Sequence, residues 1–228
     1  MKYSQFCPIA KATEVLGDRW TLLIVREALM GATRFSEFQR GLGGISTAVL
    51  TERLKSMAEN GLLVRRSLTG KRGYEYFPTP GCKELLPIIV SLGDWGMRWA
   101  KDNLVEEDYD VELLMLYLER SIIREMLPGP QTILQFDFSD LKQFRTWWLV
   151  ASETNVEVCE KDPGQDVDVY FNSTVRTMTD VWLGHRTYRD AIKADELTIV
   201  GDQALTKSVN RWLACTLFSP PSATSPIN

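Results

Sequence analysis

Between Ser46 and Lys55 the chain crowds Ser46, Thr47, Thr51, Arg53 and Lys55 into one short stretch. Short hydroxyls of this kind reach phosphates or base edges, and an arginine can hold two acceptors of one base at once. Further on, the segment "LTGKRG" carries Lys71 and Arg72 on a turn, where cations would lie near flanking phosphates or a minor groove. Other chemistry is thin. His185 is the single histidine and has no clustered cysteines beside it, which makes neither a zinc site nor a Ser-His-Asp triad credible. Asp166 and Asp168 alternate as on a strand and face solvent or a turn rather than forming a catalytic carboxylate pair. "GLGG" at Gly41–Gly44 suits a turn, not a phosphate cradle. The expectation is a protein that binds a polyanion, with no enzyme activity, no metal and no cofactor.

Cys7, Cys82, Cys159 and Cys215 are far apart, so there is no CxxC motif, and free thiols are expected. Cys7 stands before Pro8 at a helix start, where the positive end of the helix dipole lowers a thiol's pKa and raises its reactivity. It is the candidate redox-sensing residue.

The 228 residues are 44% hydrophobic and 10% aromatic, enough for a packed core, and net charge is −4. That charge is uneven. Residues 1–103 hold 15 Lys+Arg against 10 Asp+Glu, and residues 104–228 hold 11 against 20. A basic first half and an acidic second half suggest that only the first meets a polyanion. The chain contains no apolar run of membrane-spanning length and begins without a signal-like segment, so a cytoplasmic protein with no membrane partner is expected.

The elements that must position these residues follow from periodicity and punctuation. Pro8 starts a helix that Gly17 closes, and Asp18 is expected to cap a second that ends at Gly31. "RFSEFQRGL" is a short helix. Ser46 caps a longer one with Leu50, Leu54 and Met57 on one face, and Gly61 stops it. "LLVRRS" and "YEYF" flank the basic turn as paired strands. Residues 83–103 are helical again, with Trp95 and Trp99 one turn apart. The cluster "EEDYD" at Glu106–Asp110 marks a linker. Beyond it the pattern predicts a helix over "VELLMLYLERSIIREML", then four strands, two helices, the strand "LTIVG" and a helix from Asp202 to Leu213. This half is α+β with a mostly antiparallel sheet. The expected division is a mainly α domain at 1–105, a second domain at 106–218 and a disordered tail at 219–228.

Helix, turn, helix and basic hairpin is the order of a winged helix-turn-helix, whose second helix sets side chains against base edges in the major groove. The stretch from Cys7-Pro8 through "GDRWTLLIVREAL", "RFSEFQRGLGGIS" and "LTERLKSMAENGLL" to Tyr74-Glu75-Tyr76-Phe77 resembles the HxlR-type winged helix regulators, distant relatives of the MarR type. The resemblance covers about residues 6–101. It implies a homodimer on an inverted repeat of double-stranded DNA, joined through the N-terminal and last helices of this domain, with Trp95 and Trp99 at or beside the interface. Some members of that family sense oxidants through the equivalent of Cys7. Thr47 and Ala48 stand where the family often has longer polar residues, so the bases it reads do not transfer to this chain.

"ILQFDFSD", "RTWWLV", "DVDVYFN" and "VWLGHRTYRDAIKADELTIVGDQALTKSVNRWL" in the second half resemble the sterol-carrier-protein-like domain. That fold implies helices on one side of a sheet and an apolar tunnel, with Phe136, Phe138, Trp147, Trp148, Trp182 and Trp212 as candidate lining for a small apolar ligand. The bland alternative is that these aromatics are core. Two other readings stay open: a second domain that is only a dimerisation or docking scaffold, and a hydrophobic-ligand carrier whose first half has lost DNA binding.

Overall fold

An apolar line at positions 50, 54 and 57 can be buried only if its helix lies flat on a core, and that requirement organises the first half. The computed structural model describes residues 2–68, 70, 73–100 and 104–214. It divides between Gly93 and Asp94 into two compact units. In the first, α1 (Pro8–Leu16), α2 (Thr21–Leu29), α3 (Phe35–Gly41) and α4 (Thr47–Glu59) precede the antiparallel hairpin β1 (Leu63–Ser67) and β2 (Tyr74–Pro78). A single turn, α5 (Pro80–Lys83), leads to α6 (Leu86–Trp99), in which the division falls. Ile24, Val25 and Ala28 of α2, Phe38 of α3, Leu50, Leu54 and Met57 of α4, and Tyr76 of β2 share one core. This is the winged helix-turn-helix that the element order predicts.

Local chemistry ends each helix. Ser46 caps α4, its Oγ accepting from the Val49 N–H at 3.3 Å. At the other end Gly61 takes φ +73°. The N–H groups of Gly61 and Leu62 then close back on the carbonyls of Ala58 and Met57 in a Schellman turn. The α3 helix starts with a carboxylate: Glu37 Oε2 accepts from the N–H groups of Thr33 at 2.7 Å and Arg34 at 2.9 Å. Asp18, by contrast, does not cap α2. Trp20 holds that position without a side-chain bond, and the Asp18 carboxylate turns to Arg53 instead.

One carboxylate lies inside this unit. Glu27 is fully buried, bound by Arg26 Nε at 2.9 Å, while Arg26 also donates to the Gly41 carbonyl at 2.8 Å. A Cβ on Gly41 would stand 1.9 Å from Glu27 Oε2, so only glycine lets α3 approach α2 there.

The second unit contains a five-stranded sheet in the order β5-β4-β3-β6-β7. Its strands are β3 (Gln131–Phe138), β4 (Thr146–Ser152), β5 (Val156–Cys159), β6 (Val169–Ser173) and β7 (Leu197–Gly201). β3 and β6 run parallel and the other neighbours antiparallel, so the sheet is mixed, with antiparallel pairs predominating. Around it stand α7 (Val111–Ser121), α8 (Val175–Trp182), α9 (Tyr188–Lys193), α10 (Gln203–Lys207) and α11 (Val209–Trp212). These helices bury Leu114, Leu118, Met178, Ala191, Leu205 and Trp212 against one sheet face, the face of Leu134, Phe136, Phe138, Trp147, Leu149 and Phe171.

Two expected helices are shorter than the pattern suggests. α7 stops at Ser121 because Ile122 is extended and bridges Leu213, while the Ile123 N–H donates to the Trp212 carbonyl at 2.8 Å. The helix expected from Asp202 to Leu213 breaks at Ser208. The Leu205 carbonyl, which an unbroken helix would offer to Val209, instead accepts from the Trp212 indole N–H at 2.9 Å. Among the described residues no helix is long and apolar enough to cross a membrane. The expected tail at 219–228 lies outside the described residues.

Burial works to raise the Glu37 carboxyl, but the N–H donors of Thr33 and Arg34 overcome it and hold the group below its ordinary value of 4.5. A depressed carboxyl contributes stability above its unfolded value and loses it as pH falls through its folded value. Glu37→Ala should therefore cost about 1 kcal/mol at neutral pH, as a lost helix cap does. In urea unfolding, the gap between variant and wild type should narrow as pH drops below 4.5; a gap constant from pH 7 to pH 3 would show that the carboxylate is not the cap.

Candidate nucleic-acid interface

With Leu50, Leu54 and Met57 turned inward, the outer side of α4 is determined. Thr47, Ala48, Thr51, Glu52 and Lys55 are all exposed. At about 100° per residue they lie within an arc of about 140°, whose centre is about 120° around the helix from the buried line. Ser46 is exposed at the helix start, but its Oγ serves the cap. The Thr51 hydroxyl donates to the Thr47 carbonyl at 2.7 Å, so its proton is already committed. Lys55 reaches Glu59 one turn on at 3.7 Å, a loose pair with both side chains largely in solvent.

Arg53 does not join this group. It sits about 70° around the helix from the centre of the buried line. There it is paired with Asp18 of the α1–α2 connection. The pair ties α4 to the segment ahead of α2. The structure thus brings Thr47, Thr51 and Lys55 together and assigns Arg53 to holding α4 in place.

The hairpin supplies what the helix lacks in positive charge. Arg65 and Arg66 on β1 are exposed. The Arg65 guanidinium stacks 3.5 Å above the Tyr74 ring, and that of Arg66 lies 5.0 Å from the centre of Phe77. Stacking leaves the guanidinium edges free to donate, which is the geometry for phosphate. Among the described residues neither has a carboxylate partner. These two were missed as site residues in the sequence, although the "RR" doublet just before the turn was the signal. Lys71 and Arg72 lie outside the described residues. Arg34, at the start of α3, is held by Glu75 of β2 at 3.0 Å.

Cys7 is half-buried at the N-cap of α1, with no side-chain cap bond, and Pro8 beyond it has no N–H to offer a thiolate. Cys82 is fully buried, and burial pushes its thiol up, which makes it inert. Among the described residues no group of His, Cys, Asp and Glu has the spacing of a metal site. His185 Nδ1 lies 3.5 Å from Asp180 Oδ1.

The six aromatics expected to line a tunnel divide five to one. Phe136, Phe138, Trp147, Trp182 and Trp212 belong to the helix-covered core. Phe136 stacks on Phe171 at 4.6 Å, and Trp182 on Tyr117 at the same separation. Trp148 lies on the other sheet face, in cross-strand register with Cys159 and Gln135. Its exposure is 9%, and its indole N–H has no hydrogen-bond partner. The indoles of Trp147, Trp182 and Trp212 each donate, to Phe144 O, Ser121 Oγ and Leu205 O respectively.

Two exposed apolar surfaces accompany these features. On α6, Ile88, Leu92, Trp95 and Trp99 are 55%, 47%, 54% and 61% exposed. Their spacing puts them in a stripe about 60° wide. Ahead of and on α1, Phe6 and Ile9 are also exposed.

Comparison with known proteins agrees with this geometry. Residues 15–104 match the model of the HxlR-like helix-turn-helix family, and residues 118–214 match that of the SCP-2 sterol transfer family. The uncharacterized HTH-type transcriptional regulator YvaP of Bacillus subtilis is 36% identical over 109 residues, which is 46% of this chain and all of YvaP. An uncharacterized HTH-type transcriptional regulator of Mycobacterium tuberculosis is 39% identical over 89 residues, so this chain spans 56% of its length and matches over 39% of its own. Among solved structures, the reduced form of the transcriptional regulator YodB from B. subtilis is 27% identical, with a TM-score of 0.38, and the match covers 43% of this chain and 98% of YodB.

Proposed function

The chain belongs to the HxlR-like helix-turn-helix family, and from that premise we propose that it is a homodimeric, sequence-specific DNA-binding regulator acting in the cytoplasm. The observation that carries the reading is the pairing of an exposed α4 face with two unpaired, ring-stacked arginines on the adjoining hairpin. The helix reads the major groove and the hairpin grips flanking phosphate. Lys71 and Arg72 extend that grip on the sequence evidence alone. Ser46, Thr47, Thr51 and Lys55 contribute from α4, and Arg53 acts by holding the helix.

The dimer is supported by the apolar stripe on α6. Four large side chains about half exposed along one helix line form the kind of patch that a second copy covers. A two-fold partner presents the same stripe, so the contact is self-complementary, and the bound DNA is correspondingly an inverted repeat. Phe6 and Ile9 add further apolar surface of the same kind. Cys7 is a thiol-sensing candidate only in so far as a modification there alters α1.

The second unit is proposed to receive a small apolar effector. Trp148 supports that reading, because a buried indole donor left unpaired costs about 1–3 kcal/mol, and an acceptor on a ligand would relieve it. Five aromatics packed into one core support the alternative, a unit that only scaffolds the dimer or docks a protein. A thermal-shift screen of apolar metabolites separates them. An effector should raise the melting temperature, lose that effect with Trp148→Phe, and change DNA affinity; hits that never alter DNA affinity would leave the scaffold.

DNA binding itself is tested by selecting fragments from genomic DNA and titrating the winner at several salt concentrations. Arg65→Ala/Arg66→Ala should weaken binding to every sequence alike and flatten the slope of log K against log salt by about 0.9 per contact removed. Retention of the full wild-type slope would remove the hairpin from the interface, and failure to select any fragment would reject DNA binding.

A further inference from the structure

Glu52 lies at one edge of the exposed arc of α4 and is its member most nearly opposite the buried line, about 170° around the helix from the mean direction of Leu50, Leu54 and Met57. It is exposed and, among the described residues, has no hydrogen-bond or ion-pair partner, unlike Lys55, which leans on Glu59. A carboxylate in this place conflicts with DNA binding unless it is used. Brought against phosphates it is repelled, and buried in a groove without a donor it loses its hydration for nothing. We propose that Glu52 is the base-reading side chain of α4 and that it selects cytosine in each half-site. The assignment rests on the DNA-binding reading above.

The choice of base follows from what each edge shows in the major groove. Guanine offers two acceptors, and thymine an acceptor and a methyl. Adenine offers a donor flanked by the acceptor N7. Cytosine alone offers an amino donor with no acceptor of its own. An acceptor-only carboxylate is therefore matched to cytosine, opposed by guanine and thymine, and partly opposed by adenine.

The neighbours leave Glu52 this task. Ala48, one turn earlier, is too short to compete and gives the carboxylate room. The Thr51 hydroxyl already donates its hydrogen bond to the Thr47 carbonyl. Of the two long cationic side chains on α4, Arg53 is held by Asp18 and Lys55 leans on Glu59. Glu52 also excludes wrong sites by repulsion as much as it selects the right one.

The experiment is selection of bound sites from random duplex DNA with the full chain as wild type, Glu52→Gln and Glu52→Ala, followed by titration of single-base variants. The wild type should fix one cytosine per half-site, and replacing it should weaken binding by about ten- to a hundred-fold. Glu52→Gln should shift the preference at that position to adenine, which glutamine pairs through N6 and N7. Glu52→Ala should lose preference there alone and bind random DNA more tightly, since a repulsive charge is gone. The same preferred base at every position in all three proteins would overturn the proposal, as would a wild type that fixes another base at the position the variants alter. A wild type that selects no site at all instead overturns the DNA-binding reading beneath it.

Discussion

Burial of one line of α4 is the constraint on which the first unit depends. Leu50, Leu54 and Met57 share a core with Ile24 and Val25 of α2 and Phe38 of α3, and no other rotation of the helix keeps all three buried. Fixing the inner face fixes the outer one. What the helix shows to solvent is then a consequence of packing, and the functional residues are those the core does not take. Because the contact runs along the helix, loss of one of these side chains would cost about 2–5 kcal/mol and loosen the geometry of the presented face as well.

Charge is distributed by the same logic. The first unit keeps a buried carboxylate, Glu27, answered by Arg26, and admits α3 only because Gly41 has no side chain. Asp18 engages Arg53, and Glu75 engages Arg34, so two arginines are held in structural pairs. Exposed pairs of this sort contribute little to stability, roughly 0–1 kcal/mol, and their effect is positional. Arg65 and Arg66 remain, stacked on aromatic rings instead of paired to acids. Arg19, outside the hairpin, stacks on Trp20 in the same way.

Much of this was legible in the residues. The apolar spacing of α4, the Ser46 cap and the Gly61 stop carry their own physical signatures, and so does the hairpin between "LLVRRS" and "YEYF". What was not legible depended on partners remote in sequence. Asp18 looks like a cap by type and position, but an arginine thirty-odd residues away takes its carboxylate. Arg53 looks like a reader by chemistry, but its angular position keeps it off the exposed face. Trp148 follows Trp147 directly, yet alternation along β4 puts the two on opposite sides of the sheet. In the same way, the ends of α7 and α10 are set by tertiary hydrogen bonds involving Trp212, which no local pattern announces.

The central claim is that two copies of the α4 face engage one duplex together. Hydroxyl-radical footprinting of the full chain on its own selected site measures this most directly. Two protected patches are expected on one face of the duplex, related by two-fold symmetry and centred about one helical turn or a whole multiple of it apart. They should appear at the same protein concentration, because the proposed dimer would arrive as a unit. A single protected half-site at saturating protein, or two patches that fill independently, would contradict it.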